Sequence, residues 1–156
     1  MSRYAKSTTV SPERSRTEIE RTLVRYGATG FMYAWSETAN AAVVQFSFDN
    51  WRVRFLLPMP EQSDFVADSR GRKRPPSHQK KALEQNIRQR WRALALAVKA
   101  KLETVESGIA AFEEEFMPYL VLPGKKGQTA GEYLLPQIVE SYQTGKLPPL
   151  LESPNG

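Results

Sequence analysis

Basic side chains are the most concentrated source of chemistry in this sequence. Residues 70–101 contain eleven arginines and lysines and one acid, Glu84, a net charge of +10, whereas residues 102–116 contain five glutamates and no base. Lysine and arginine bind phosphates without a further catalytic partner, and a strongly basic segment attracts polyanions. We therefore expect a basic surface that binds an anionic partner. The alternative is a solvated surface with unevenly shared charge.

The predicted basic surface draws on a strand, a loop and the edge of a helix. Its residues are Arg52, Arg54, Arg70, Arg72, Lys73, Arg74, Lys80, Lys81, Arg88, Arg92 and Lys99. Phosphate contacts need only such a surface, whereas readout of base edges needs side chains placed in a groove of the nucleic acid, and no such element is evident. The sequence therefore favours binding to DNA or RNA that tolerates many base sequences.

Other residue types offer little chemistry. General-base catalysis by the single histidine, His78, needs an orienting partner that the sequence does not supply. Glu113, Glu114 and Glu115 are consecutive on a predicted helix, so they splay apart and cannot converge on one ion. The segment GKKGQT (124–129) lacks the spacing of a phosphate loop. We predict no catalytic residue, no metal site and no cofactor, and hence a protein that is not an enzyme.

Length and composition predict one cytoplasmic domain. A chain of 156 residues buries about two thirds of its unfolded surface. It has no cysteines, which excludes disulfides and thiolate metal sites. No apolar run approaches the roughly 20 residues of a membrane span, and no signal peptide is evident. We expect no membrane as a partner, and an oligomer is compatible with these numbers.

The first part of the chain predicts a helix and a three-stranded meander. Ser11-Pro12 is typical of a helix start, and the apolar spacing predicts a helix over 12–26. Alternating apolar residues predict strands over 30–36, 42–48 and 51–57. A two-residue turn at Asp49-Asn50 pairs the second and third strands so that the numbers of facing residues sum to 99. A four-residue loop at 37–40 pairs the first and second strands with a sum of 77. Both registers place the aromatic residues on one sheet face, which a helix should cover. That face collects Phe31, Tyr33, Trp35, Val44, Phe46, Phe48, Trp51, Val53, Phe55 and Leu57.

The second part predicts a long central helix. Apolar residues recur at helical spacing from Leu83 to Phe116, with Gly108 as the expected bend or break. Trp91 lies on this stripe, so we expect it to be buried rather than a stacking platform. A second stripe predicts that the middle of the helix is buried on two sides. Its residues are Ala93, Leu96, Ala97 and Ala100.

The remaining segments complete an α+β plan. Residues 119–122 suggest an extended piece, and the capping box at Thr129 and Glu132 predicts a last helix over 130–144. We predict a flexible N-terminus (1–10), one α+β domain (11–151) with a mobile basic loop at 61–77, and a tail (152–156). The fold class is a three-stranded antiparallel meander packed on a long central helix, with flanking N- and C-terminal helices.

Several runs resemble a set of small uncharacterised proteins of tailed bacteriophages, prophages and related mobile elements. The similarity covers about residues 10–151, and the long-helix run RQRWRALALAVKAKLETVESGI carries most of it. The resemblance implies a mobile-element origin and a bacterial cytoplasm, and it implies no activity. Together with the basic residues it favours a nucleic-acid-binding accessory protein that is not an enzyme. The alternative is a protein-binding module that inhibits a host factor or joins a larger complex, with an acidic host or phage protein as its partner.

Overall fold

The protein has an α+β fold that follows the predicted order of elements. The computed structural model describes residues 5–124 and 126–147, so the predicted tail lies outside the described residues. Short 3-10 turns occupy Gln62–Phe65 and Met117–Tyr119. The regular elements are α1 (Pro12–Arg25), β1 (Gly30–Ser36), β2 (Ala41–Phe48), β3 (Trp51–Pro58), α2 (Pro76–Glu106), α3 (Phe112–Glu115) and α4 (Ala130–Thr144).

The sheet has the order β1-β2-β3, and both predicted registers are confirmed. Phe31 pairs with Phe46, and Phe48 pairs with Trp51 across a turn in which Asp49 has φ 49°. Four residues at the centre of the aromatic face are buried: Val44, Phe46, Val53 and Phe55. Three residues predicted on this face are instead 40–52% exposed: Tyr33, Trp35 and Trp51. They lie on an edge strand or beside the hairpin turn, so the full coverage that we predicted for this face is wrong at its margins.

The long helix α2 supplies the other half of the core. Trp91 is only 2% exposed, which confirms its predicted burial, and its ring centroid lies 5.4 Å from that of Tyr33. The helix ends at Glu106, and Gly108 follows with φ 76°, a left-handed conformation that glycine adopts without strain. The predicted break is therefore confirmed. The prediction that one buried apolar stripe continues past Gly108 to Phe116 is wrong, because Ile109 is 79% exposed.

The segment after the break returns to the core separately. Phe112 and Phe116 belong to α3 and its end, and both are buried. The Phe116 ring meets that of Phe46 edge to face at 5.9 Å, and Phe112 stacks on Phe48 at 4.4 Å. Such aromatic pairs add about 0.5–1.5 kcal/mol each beyond their buried area.

The predicted second apolar stripe of α2 is wrong. Ala97 and Ala100 are exposed, and Ala95 is buried instead. The reason is that α1 packs along one flank of α2 only. Residue numbers increase in the same direction along residues 8–26 and along α2 at the contacts between them. Gln85 donates to Thr8 O, Arg92 donates to Glu18, and Tyr26 donates to Glu103. Two parallel helices thus form one layer over the sheet, with a seam between them.

The last helix begins on the domain and then extends away from its core. Its capping box is confirmed, since Glu132 N donates to Thr129 Oγ1 at 3.2 Å and Thr129 N donates to the Glu132 carboxylate at 3.4 Å. Leu120 bridges to Val53 as the predicted extended piece. Gly131 lies so close to Pro118 that an added Cβ would meet its carbonyl at 2.8 Å. Within α4, which the structure describes completely, only Ala130 is buried.

Candidate nucleic-acid interface

The predicted basic residues do not form one surface. Arg52 and Arg54 alternate along β3 with the buried Val53 and Phe55, so they lie on the sheet face opposite α2. The expectation that they join the basic edge of α2 is therefore wrong. The physical reason is the strand period of two, which turns both arginines outward whenever the aromatic face turns inward.

Arg54 has a structural contact. Its guanidinium lies 3.2 Å from the carboxylate of Glu132 in the first turn of α4, and its side chain is 22% exposed. Its Nε is buried and has no hydrogen-bond partner among the described residues. Arg54 thus connects the outer sheet face to the start of α4, whereas Arg52 is exposed.

The predicted mobile loop contains its own hydrogen-bonded structure. Asp68 accepts hydrogen bonds at 2.9 Å from the backbone N–H groups of both Arg70 and Arg72, and at 3.2 Å from the Arg72 side chain. The Arg72 N–H is the main cause that lowers the pKa of Asp68 below its ordinary value, with the Arg70 N–H and the two guanidinium groups of Arg72 and Arg74 adding to it. Mobility of residues 61–77 stays a prediction.

Two of the four basic residues in this loop are occupied by its internal contacts. Arg74 donates to the carbonyls of Phe65 at 3.3 Å and Ala67 at 2.7 Å. Arg72 bonds Asp68, while Arg70 and Lys73 are exposed. The loop lies beside the first turns of α2, because Gln79 donates to Arg74 O at 2.9 Å and accepts from the Gln62 side chain at 3.5 Å. Lys80 and Lys81, both exposed, follow directly on that helix.

Four of the predicted residues do share one flank of α2. Lys81, Arg88, Arg92 and Lys99 are spaced i, i+7, i+11 and i+18, which returns to one helix face over about 27 Å. This is the flank that faces α1. Arg88 is held by Gln85, whose Oε1 accepts from Nε at 3.0 Å and Nη2 at 2.5 Å, and Arg92 pairs with Glu18. Lys99 is exposed at the far end.

The first helix contributes basic residues that the sequence analysis missed. Arg14, Glu18, Arg21 and Arg25 are spaced i, i+4, i+7 and i+11, so they form one stripe of α1. Glu18 of this stripe contacts α2, so the stripe borders the seam. The signal was present in the sequence, because the spacing of Arg14, Arg21 and Arg25 places them on one face of the helix predicted over 12–26.

These two stripes meet at an open groove, which we call the α1–α2 groove. It has a volume of about 310 Å³ and is lined by Glu18, Arg21, Thr22, Arg25 and Lys99. Arg21, Arg25 and Lys99 take part in none of the salt bridges between described residues. The one carboxylate among the described lining residues, Glu18, pairs with Arg92. The groove therefore presents three cationic groups to solvent, which suits phosphate oxygens.

The other candidate features stay apart from this groove. His78 is exposed at the start of α2, and Glu115 bonds Lys101 at 3.4 Å while Glu113 and Glu114 face solvent. Within residues 5–124 and 126–147, no three histidine or carboxylate side chains cluster as metal ligands would. No helix of the described chain is both long enough and apolar enough to span a membrane.

Comparisons with known proteins add no relative. No family model matches the sequence, and no match was found among curated proteins or solved structures. The resemblance to phage and prophage proteins therefore stays a prediction. Any functional proposal rests on the arrangement of side chains described above.

Proposed function

We propose that this protein binds nucleic acid through phosphate contacts in the α1–α2 groove, as a non-enzymatic accessory protein of a phage or mobile element. The observation that carries the proposal is the convergence of Arg21, Arg25 and Lys99 on one open groove. Arg88 and Arg92 extend the row of basic side chains along the flank of α2 that faces α1. Electrostatic contacts of this kind supply most of the affinity of sequence-tolerant binding.

The groove favours backbone contacts over readout of bases. Its cationic groups lie on the rims of two helices, and Thr22, which is buried, donates its hydroxyl to the carbonyl of Glu18. That hydroxyl is thus occupied within α1. Contacts to phosphates position a protein on nucleic acid but carry no base information. The expected ligand is a nucleic acid of any base sequence.

A salt titration with matched variants tests this proposal. The groove variant combines Arg21→Gln, Arg25→Gln and Lys99→Gln. The control variant removes the same charge from exposed positions outside the groove, by Arg52→Gln, Arg70→Gln and Lys73→Gln. Fluorescence anisotropy would measure affinity for labelled single- and double-stranded DNA and RNA from ~50 mM salt upwards.

The groove variant should bind more weakly to every oligonucleotide, and its salt slope on duplex DNA should fall by up to about three units. The control variant should keep most of the affinity and slope. Equal losses in both variants would mean binding by net charge alone, and would remove the groove from the proposal. Absence of binding to any nucleic acid at ~50 mM salt would overturn nucleic-acid binding itself.

A protein-binding module is the second candidate. The same cationic groove suits an acidic protein surface, since carboxylates and phosphates are both ligands of arginine. If the nucleic-acid assays fail, capture of partners from host lysate on wild-type protein and on the groove variant would test this candidate. A partner held by the wild type and lost by the groove variant supports it.

A further inference from the structure

The last helix carries an apolar stripe that the described residues leave uncovered. Leu134, Leu135, Ile138 and Tyr142 follow helical spacing on one side of α4. Leu135 is 59% exposed and Tyr142 is 88% exposed, the highest value of any large apolar side chain in the described residues. Contiguous exposed apolar patches of more than a few hundred Å² mark interaction surfaces in soluble proteins.

An apolar groove lies beside this stripe. It measures about 210 Å³, and among the described residues no side chain fills it. Its wall is formed by the Met117-Pro118 turn on one side and by the first half of α4 on the other. The lining residues are Met117, Pro118, Ala130, Gly131, Leu134, Leu135 and Ile138. The chain therefore presents both an apolar cavity and, eight positions along the same helix from Leu134, an exposed aromatic ring.

We propose that a second copy of this chain covers the stripe, with the two α4 helices packed antiparallel about Ile138. In that arrangement the numbers of facing residues sum to 276, so Tyr142 faces Leu134 of the second copy. Each tyrosine then enters the apolar groove of the other chain. The contact is reciprocal, as a two-fold interface requires.

The exposed apolar area and the position of Tyr142 both support a second copy in this orientation. Six large side chains that are 41–88% exposed offer several hundred Å² of apolar surface, comparable with the roughly 800 Å² that one partner contributes to a standard interface. Antiparallel packing brings Tyr142 to the apolar groove of the second copy, whereas parallel packing would place the two Tyr142 rings against each other and leave both grooves unfilled. The six are Met117, Leu135, Ile138, Val139, Tyr142 and Leu147.

Sedimentation of the full chain with two tyrosine variants tests the proposal. The wild type should sediment as a dimer at micromolar concentration. Tyr142→Ala should weaken the dimer at least about tenfold, because the interface loses a buried aromatic anchor in each copy. Tyr133→Ala is the matched control, since Tyr133 is 47% exposed on the other side of α4 and should leave the dimer unchanged. A monomeric wild type, or equal losses in both variants, would overturn the proposal.

Cysteine cross-linking tests the orientation, because the natural sequence has no cysteine. Ile138→Cys lies at the crossing point, where facing Cα atoms of packed helices come within disulfide range, so it should oxidise to a covalent dimer. Leu134→Cys and Tyr142→Cys, which face each other in this arrangement, should cross-link to each other when mixed, and each alone should not. Cross-linking of Tyr142→Cys with itself would show parallel packing and overturn the antiparallel arrangement. Val24→Cys, exposed on α1, should form no covalent dimer and controls for random collision.

Discussion

Arg92 donates a hydrogen bond to Glu18 across the seam between the two parallel helices. The Arg92 side chain is 21% exposed and that of Glu18 is 40% exposed, so the pair sits at the rim of the α1–α2 groove. The pair joins α1 to α2. Arg92 also compensates the negative charge of Glu18, the one carboxylate among the described residues that line the groove.

The first prediction concerns this pair. Glu18→Gln keeps a hydrogen-bond acceptor beside Arg92 and removes the negative charge from the groove. We expect nucleic-acid affinity at low salt to rise by roughly two- to fivefold, with stability changed by less than about 1 kcal/mol, as for other partly exposed ion pairs. Anisotropy and thermal melts would measure both. Arg92→Gln is the opposite control and should weaken binding; a fall in affinity for Glu18→Gln would contradict the assigned groove.

The second prediction concerns Trp91. Its side chain is 2% exposed between the sheet and α1, and Arg16 lies 5.4 Å from its ring. Trp91→Ala should lower the free energy of unfolding by about 3–5 kcal/mol through lost burial and a cavity. Denaturant melts would measure this loss. Trp35→Ala, at a position 52% exposed, should cost far less; similar costs for the two tryptophans would place Trp91 outside the core.

Local patterns in this sequence predict most of the fold, because each element carries its own signal. The capping box at Thr129 and the apolar alternation around Phe46 predict the ends of α4 and of the three strands to within one or two residues. How far the two helices cover the aromatic face of the sheet was harder to predict. Tyr33 and Trp35 match the buried pattern, yet their exposure depends on how far α1 and α2 extend over an edge strand, which is a tertiary property.

The candidate site was predicted less completely than the fold. Lys99 was identified from its charge and from the helix face that it shares with Arg88 and Arg92, but Arg21 and Arg25 enter the site only because α1 runs parallel to α2. Arg54 and Arg74 have the correct charge, but they bond Glu132 and the carbonyls of Phe65 and Ala67. A sum of charges along a segment does not distinguish an arginine that is free to bind a ligand from one that holds its own chain together.

The third prediction tests the register of the sheet. Phe46 is 2% exposed and lies between Phe31 and Val53, while Ser47, one residue later, lies on the outer face. Phe46→Asp should prevent soluble folding, because it buries a charge without a partner. Ser47→Asp should give a soluble protein with nearly the same melting temperature. Soluble expression and circular dichroism would compare them, and the same outcome for both would contradict the register.

The fourth prediction concerns the pH dependence of the loop around Asp68. The N–H of Arg72 is the main cause of the lowered pKa of this carboxyl, so the ionised form is the one that the folded loop stabilises. A lowered folded-state pKa means that this stabilisation is present above the ordinary value of 3.8 and is lost as the pH falls through the lower, folded-state pKa. The amide signals of Arg70 and Arg72 should therefore titrate together in NMR spectra, with a midpoint below 3.8. Asp68→Asn should abolish this titration, whereas Asp64→Asn, whose carboxylate accepts from Glu61 N at 2.8 Å, should leave it in place. If the two amides titrate at or above the ordinary value, Asp68 does not organise the loop.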